Sequence, residues 1–316
     1  MLKLDYANCL SERVGSHGLD PARLGPGSEL QEAAASMTER LAETRGTGWE
    51  RWRELARGDA RERHVSAVKK LVQQHKGSTD TLVVLGIGGS ALGNIALQSA
   101  LNPSTYNLLP NDARPGPRVF VIDNVDPSNF SAIMSLVREQ DPKLERTLFN
   151  VISKSGETAE TAAQFMCVRD MLAEAAGAKA SERVVAITDP EKGTMRKICD
   201  EAGYATLPVP EGVGGRFSVL SPVGLFSAAM AGIDIDALLD GADEMDQLCS
   251  KPSLTDNPAA MIATLLVELG ARKGKTNHVM MPYANALYLM ADWFRQLWAE
   301  SLGKEKDLQG HTVYAG

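Results

Sequence analysis

From residue 81 onward, short apolar runs alternate with stretches of helical spacing. The runs cover residues 82–87, 119–122, 147–152 and 184–188, with a weaker one at 206–209. They are nearly continuous in apolar residues, the pattern of strands buried on both faces of a parallel sheet. The segments between them have the length of crossover helices. The expected fold class is therefore α/β, a doubly wound parallel sheet with helices on both faces. Ligands in such sheets bind beyond the carboxyl ends of the strands. The turns at residues 86–90 and 153–158 both fall there.

The flanking regions read differently. Residues 1–78 are polar and helical in pattern. Ser28-Glu-Leu-Gln31 fits a capping box that opens a helix to about residue 41. A second helical pattern ends near His75, and Lys76-Gly-Ser-Thr-Asp80 breaks the chain. After residue 209 a glycine-rich connector leads into helical stretches over 217–231 and 238–270. His278-Val-Met-Met-Pro-Tyr283 reads as a strand. A helix from about residue 286 to Leu302 comes next, with Gly303 placed to end it. Three segments are expected: an N-terminal helical layer over 1–78, packed on the domain after it; a first α/β domain over 79–210; and, over 211–316, connector helices with the start of an incomplete second α/β domain of the same kind.

Composition narrows the function. Hydrophobic residues make up 44% and charged residues 23% of the 316, the balance of a soluble globular protein. The net charge of −7, with no basic block, argues against nucleic acid but leaves room for a small anion held by local dipoles. No apolar run reaches membrane-spanning length, and the N-terminus lacks a signal core. Cys9, Cys167, Cys199 and Cys249 form no CxxC pair and read as reduced thiols of a cytoplasmic protein. The histidines show no metal-ligand spacing, so no metal is expected.

Four segments could carry chemistry. Ser153-Lys-Ser-Gly-Glu-Thr158 ends a strand and opens a helix, and its hydroxyls and backbone N–H groups make a pocket for an anion. It is too short and glycine-poor for a polyphosphate loop and suits one compact phosphate. An ordinary capped helix is the plainer alternative. Gly86-Ile-Gly-Gly-Ser-Ala-Leu-Gly93 begins like a dinucleotide fingerprint, yet Ala91 stands where GxGxxG needs glycine. Val121-Ile-Asp-Asn124 does end the next strand with an acid, so a nicotinamide dehydrogenase stays open beside a sugar-phosphate turn made by Gly88, Gly89 and Ser90. In Val213-Gly-Gly-Arg-Phe-Ser218, Arg216 sits at a backbone corner from which it can reach an oxyanion, or else lies on the surface. On the helix near the C-terminus, Gln296 and Glu300 are four apart and share a face. Leu287, Met290, Phe294, Leu297 and Trp298 surround that face. A carboxylate against such a wall is suited to moving protons near neutral pH. The alternative is a solvated glutamate opposing the helix dipole.

Taken together, Gly86-Ile-Gly-Gly-Ser90, Ser153-Lys-Ser-Gly-Glu-Thr158, Gly214-Gly-Arg-Phe-Ser218 and Gln296-Leu-Trp-Ala-Glu-Ser-Leu-Gly-Lys304 resemble the glucose-6-phosphate isomerase family in its shorter bacterial form. The resemblance runs from about residue 25 to the end of the chain. The run from Gly214 to Gly224 is a specific signature of the family. The resemblance implies an aldose–ketose isomerase that interconverts D-glucose 6-phosphate and D-fructose 6-phosphate through a cis-enediol, in glycolysis and gluconeogenesis. Ser153, Lys154, Ser155 and Thr158 would hold the phosphate, with Ser90 closing the pocket and Gly89 letting the sugar approach. Arg216 would stabilise the enediolate, Glu300 would move the proton between C1 and C2, and Gln296 would orient the substrate. No cofactor and no metal is implied. The partner is a small sugar phosphate, with a homodimer in the full-length form, no nucleic acid and no membrane. The family's ring-opening histidine, in a Gln–His pair, and an assisting C-terminal lysine lie beyond the equivalent of Gly316; His311 sits too early for that role. A truncated, nearly inactive member is expected, with exposed apolar surface around residues 278–283. A non-catalytic sugar-phosphate-binding module is the rival from another class.

Overall fold

The computed structural model describes residues 3–315. In chain order the helices are α1 (Ser11–Val14), α2 (Glu29–Glu43), α3 (Gly58–His75), α4 (Leu92–Leu101), α5 (Pro127–Gln140), α6 (Ala159–Ala176), α7 (Thr194–Ala202), α8 (Pro222–Met230), α9 (Ile235–Cys249), α10 (Pro258–Lys273) and α11 (Tyr288–Leu302). The strands are β1 (Thr81–Leu85), β2 (Arg118–Ile122), β3 (Thr147–Ile152), β4 (Val184–Thr188), β5 (Ala205–Pro208), β6 (Lys304–Lys306) and β7 (Thr312–Ala315). The chain divides into two compact units. One combines the residues up to Ala56 with Leu238–Met280; the other combines Arg57–Ala237 with the residues from Met281 on.

The second unit holds a five-stranded parallel sheet in the order β2-β1-β3-β4-β5. Every residue of β1, β3 and β4 is buried, as continuous apolar runs require. Side chains alternate between faces. Val83, Leu85, Phe149, Val151, Val184 and Ala186 pack with Phe165, Val168 and Leu172 of α6, with Met134 and Val137 of α5, and with Met195 and Cys199 of α7. Burying each large apolar side chain contributes about 1.5–3 kcal/mol before the entropy cost of ordering it. Leu82, Val84 and Leu148 point to the opposite face, and α8 packs on β1 together with α3 and α4. The edge strand β2 is only partly buried. The Asn107 amide caps it, donating to the Val119 carbonyl at 2.8 Å and accepting from the Val119 N–H at 2.9 Å. An edge capped this way presents fewer open backbone groups to another strand.

In the first unit Leu19, Leu24 and Ala34 share a core with Leu254, Met261 and Leu265. Glu268 receives Arg23 at 2.7 Å and Arg272 at 2.6 Å. Ser28 accepts from the Gln31 N–H at 3.2 Å as a helix cap. The Gln31 side chain does not return the capping-box bond; it accepts from the Leu254 N–H at 2.8 Å.

One expected element is absent. Residues 278–283 form irregular chain, not a strand. Their β-type composition is a local signal, whereas a strand needs a neighbour for its N–H and C=O groups. Among the described residues no strand pairs with them. Val279 is 76% and Tyr283 95% exposed, so the segment leaves apolar side chains in water. No helix among the described residues is long and apolar enough to cross a membrane.

Candidate active site

In the order β2-β1-β3, the connections leaving β1 and β3 pass to opposite faces of the sheet. The crevice between them is the topological switch point, where open α/β sheets bind ligands. Leu85 is paired with Val151, so the turn after β1 and the turn after β3 begin side by side.

The turn after β3 carries Ser153, Lys154, Ser155 and Thr158. The Lys154 carbonyl accepts from the Thr188 hydroxyl at 3.1 Å and from the Asp189 N–H at 3.2 Å. The Ser155 carbonyl accepts from the N–H groups of Thr194 at 2.8 Å and Met195 at 3.3 Å. Both carbonyls are thus tied to the loop after β4. Gly156 has φ +81°, and a Cβ there would lie 2.4 Å from the Met195 nitrogen, so only glycine fits. The Ser153 hydroxyl accepts from the Gly156 N–H at 3.0 Å and the Ser155 hydroxyl from the Glu157 N–H at 3.1 Å. Thr158 stands at the N-cap of α6, yet its side chain makes no capping bond. The first-turn N–H groups of α6 are therefore open to an anion. Lys154 lies close enough for its charge to act on Asp189. The Asp189 carboxyl is held below its usual range, first by the Glu191 N–H, then by the Lys192 N–H and the Lys192 and Lys154 charges.

The turn after β1 meets two other segments. A Cβ at Gly89 would lie 2.2 Å from the Gly215 carbonyl carbon and 2.4 Å from the Arg216 nitrogen. The close approach made by this glycine is thus to the backbone that carries Arg216. A Cβ at Gly88, φ +55°, would lie 2.8 Å from Gln296 Nε2. Gly88–Ser90 is a single 3-10 turn, and Ser90 is half-buried at its end.

Arg216, Gln296 and Glu300 converge. Arg216 Nη1 lies 3.3 Å from Glu300 Oε2, and Gln296 Nε2 donates to Glu300 Oε1 at 2.8 Å. Arg216 Nε donates to Ser301 Oγ at 2.9 Å, and its guanidinium carbon lies 4.9 Å from the centre of the Phe217 ring. The Glu300 carboxylate meets a guanidinium and an amide rather than an apolar wall, and its side chain is 51% exposed. An ion pair this open to water is worth only about 0–1 kcal/mol and can be displaced by a ligand. Gln296 Oε1 is buried and has no hydrogen-bond partner, an acceptor that a donor would satisfy. Ser301, and Lys304, which donates to the Glu300 carbonyl at 2.6 Å, were not singled out by sequence. Both lie inside the Gln296–Lys304 segment that carries the resemblance, without a role of their own there. Among the described residues no group of three or more His, Cys, Asp or Glu side chains could hold a metal ion.

These features define a doubly wound α/β protein with its polar turns gathered at the switch point and an acid–arginine pair beside them. Residues 64–315 match the model of the phosphoglucose isomerase family, and the chain belongs to that family. The glucose-6-phosphate isomerase of Carboxydothermus hydrogenoformans is 43% identical over 255 residues, which are 81% of this chain and 54% of that protein. That of Rubrobacter xylanophilus is 43% identical over 310 residues, 95% of this chain and 65% of that protein. The chain therefore spans between 54% and 65% of the length of these relatives. Among solved structures, a hypothetical protein of Thermus thermophilus superposes with a TM-score of 0.76 at 33% identity, covering 93% of this chain and 65% of that one. A glucose-6-phosphate isomerase from Chlamydia trachomatis has the same fold, with a TM-score of 0.75 at 24% identity, covering 91% of this chain and 58% of that one.

Proposed function

We propose that the protein interconverts D-glucose 6-phosphate and D-fructose 6-phosphate through a cis-enediol. The observation that carries this reading is the carboxylate of Glu300 held by Arg216 and Gln296, in the same unit as the open N-terminus of α6. Phosphate binds Ser153, Lys154, Ser155 and Thr158, with Ser90 closing the pocket, while Gly89 lets the Ser90 turn pack on the backbone that carries Arg216. This remote anchor fixes the reacting carbons and lowers the entropic part of the barrier. The substrate displaces the weak Arg216–Glu300 contact. Glu300 then takes the proton from C2 of the open-chain aldose and returns it to C1, while the hydroxyl proton on O2 passes to O1. Negative charge develops on the enediolate oxygens, and Arg216 meets it there. The buried Gln296 Oε1 accepts from a substrate hydroxyl and so orients the chain. In this reading the enzyme works in the cytoplasm, in glycolysis and gluconeogenesis, and its full-length form is a homodimer.

The test has two parts. Calorimetry with fructose 6-phosphate measures binding, and NMR in deuterated water measures hydrogen exchange at C2 of glucose 6-phosphate. Binding together with exchange supports the isomerase. Binding without exchange, also in a chain extended to the length of its relatives, leaves a sugar-phosphate-binding module. Absence of binding in both chains refutes the site.

A further inference from the structure

A ladder of buried serines runs from the Arg216 segment into α8. The hydroxyl of Ser218 donates to the Gly215 carbonyl at 2.7 Å, and that of Ser221 to the Ser218 carbonyl at 2.6 Å. The hydroxyl of Ser227 reaches the Gly224 carbonyl at 3.4 Å and donates to Oδ1 of Asn94 across the helix pair. The Asn94 amide in turn donates to the Ser90 carbonyl at 2.8 Å. Ser218, Ser221, Ser227 and Asn94 are all at most 1% exposed. Buried polar groups need partners; the Ser218 and Ser221 hydroxyls find them on backbone carbonyls three residues back, Ser227 finds Asn94, and between Ser221 and Ser227 the backbone continues the ladder, with the Gly224 N–H donating to the Ser221 carbonyl at 3.0 Å. The two ends of the ladder are the backbones at Gly215 and Ser90, next to Arg216 and to the turn after β1.

The surrounding packing leaves little slack. Gly89 abuts Gly215 and Arg216, a Cβ at Gly93 would lie 2.9 Å from the Val219 side chain, and one at Gly224 would lie 2.1 Å from the Val219 carbonyl oxygen. Backbone contact holds the two segments together, and the hydrogen bonds fix their register.

We propose that Asn94 and Ser227 are positioning residues that hold the Ser90 turn and Arg216 in register, so that one sugar phosphate can touch both. This deepens the isomerase reading and rests on it. Neither residue touches the substrate. Ser227→Ala leaves Asn94 Oδ1 without its donor, Asn94→Ala releases the Ser90 carbonyl from the Asn94 amide, and either change frees the two segments to shift separately. A misplacement of about 1 Å in a site of this kind can cost about 10²-fold in rate. A smaller loss, about tenfold, is expected here because the glycine contacts remain.

The test compares Asn94→Ala, Ser227→Ala and the double variant with the unaltered chain. Calorimetry is run with inorganic phosphate, which rests on the Ser153–Thr158 turn with Ser90 only closing its pocket, and with fructose 6-phosphate, which also needs the register with Arg216. Each single variant is expected to weaken fructose 6-phosphate about tenfold and inorganic phosphate clearly less, about two- to threefold, because phosphate loses only the closure by Ser90. Because one link is broken either way, the double variant is expected to lose no more than the worse single one. Equal loss for both ligands, independent multiplying losses, or no change overturns the proposal. Native-state hydrogen exchange reads the link without any ligand. The amides of Ala91 and Phe217, which bond to the Gly88 and Gly214 carbonyls, should speed up together in Ser227→Ala while the β3 amides hold. Independent exchange at the two turns refutes the register. If the unaltered chain binds no fructose 6-phosphate but these amides still speed up together, the substrate reading fails and the link stands.

Discussion

Gly156→Ala tests the physical account of the turn after β3. The residue has φ +81°, and its added Cβ would lie 2.4 Å from the Met195 nitrogen, 2.9 Å from the Met195 Cβ and 3.0 Å from the Met195 Cα. The conformational part costs about 1–2 kcal/mol, because an L side chain is crowded at positive φ. The contact is with backbone and cannot be relieved by a flexible side chain. Moving the start of α7 strains the bonds from Thr194 and Met195 to the Ser155 carbonyl. Overpacking of this kind adds about 1–3 kcal/mol. The expected total is about 2–5 kcal/mol, against a typical folding stability of about 5–15 kcal/mol. Gly203→Ala is the internal control: it has φ +71° and nothing within 4 Å of its added Cβ, so it isolates the conformational part. Urea unfolding followed by circular dichroism measures both variants. The midpoint should fall further for Gly156→Ala, with an unchanged slope. Inorganic phosphate should also bind Gly156→Ala at least several-fold more weakly, since Ser153, Ser155 and the α6 N-terminus move with the turn. Equal destabilisation of the two variants, or a loss below about 1 kcal/mol at Gly156, would refute the close-contact argument.

In a chain extended to the length of its relatives, Glu300→Gln should keep fructose 6-phosphate binding and lower hydrogen exchange at C2 about 10²–10⁴-fold, the usual contribution of a positioned base; near-normal exchange by NMR would assign the proton to another group. Ser155→Ala combined with Thr158→Ala should weaken fructose 6-phosphate in calorimetry while the melting temperature stays close to normal, and unchanged affinity would remove the phosphate reading of this turn. His64 and His75 are both held below the ordinary histidine value of 6.5 by burial, reinforced by the Arg63 and Arg183 charges respectively. Between their folded and unfolded pKa values the unfolded chain binds more protons, so their contribution is present above pH 6.5 and is lost as pH falls through the window below it. The melting temperature should fall over that window, and His64→Gln with His75→Gln should flatten the fall; an equally steep fall in the double variant would sink this assignment.

The parallel sheet was legible because its strands are continuous apolar runs bounded by turns. The run at 147–152 coincides with β3, and that at 184–188 coincides with β4. Residues 278–283 show the limit of the same reasoning. Their composition is β-like, but whether a strand forms depends on a partner that local pattern cannot supply. The helical period correctly puts Gln296 and Glu300 on one face of α11, where they bond to each other. What faces them is set by Arg216, a contact across 84 residues of sequence. Periodicity therefore suggests an apolar wall where the structure has a guanidinium. In the sequence Gly89 reads as a point of close approach to a sugar, and its Cβ direction is filled by Gly215 and Arg216. The residue type signals that something comes close; only the tertiary structure shows what. The serine ladder carries no recognisable local signature either, since three-residue serine spacing also suits an ordinary helix start.

The two sides of the crevice are stiffened by different means, and on the proposed reading this bears on how a phosphate enters. On the β1 side, glycine contacts and buried hydroxyls tie backbone to backbone: Asn94 joins Ser90 to Ser227, and from Ser227 the bonds run through Gly224, Ser221 and Ser218 to Gly215. On the β3 side, the carbonyls of Lys154 and Ser155 are fixed by Thr188, Asp189, Thr194 and Met195, while two of the amides are covered only by the hydroxyls of Ser153 and Ser155. Backbone movement is costly on both sides, but a serine hydroxyl moves by rotation about one bond. On the proposed reading, phosphate oxygens take over the Gly156 and Glu157 N–H groups, and the released hydroxyls turn to donate to the same oxygens. Neutral bonds are exchanged for charge-assisted ones of roughly twice the strength. In that proposal the frame stays fixed while the anchor switches, and the distance from the phosphate to Glu300 is set before the substrate arrives.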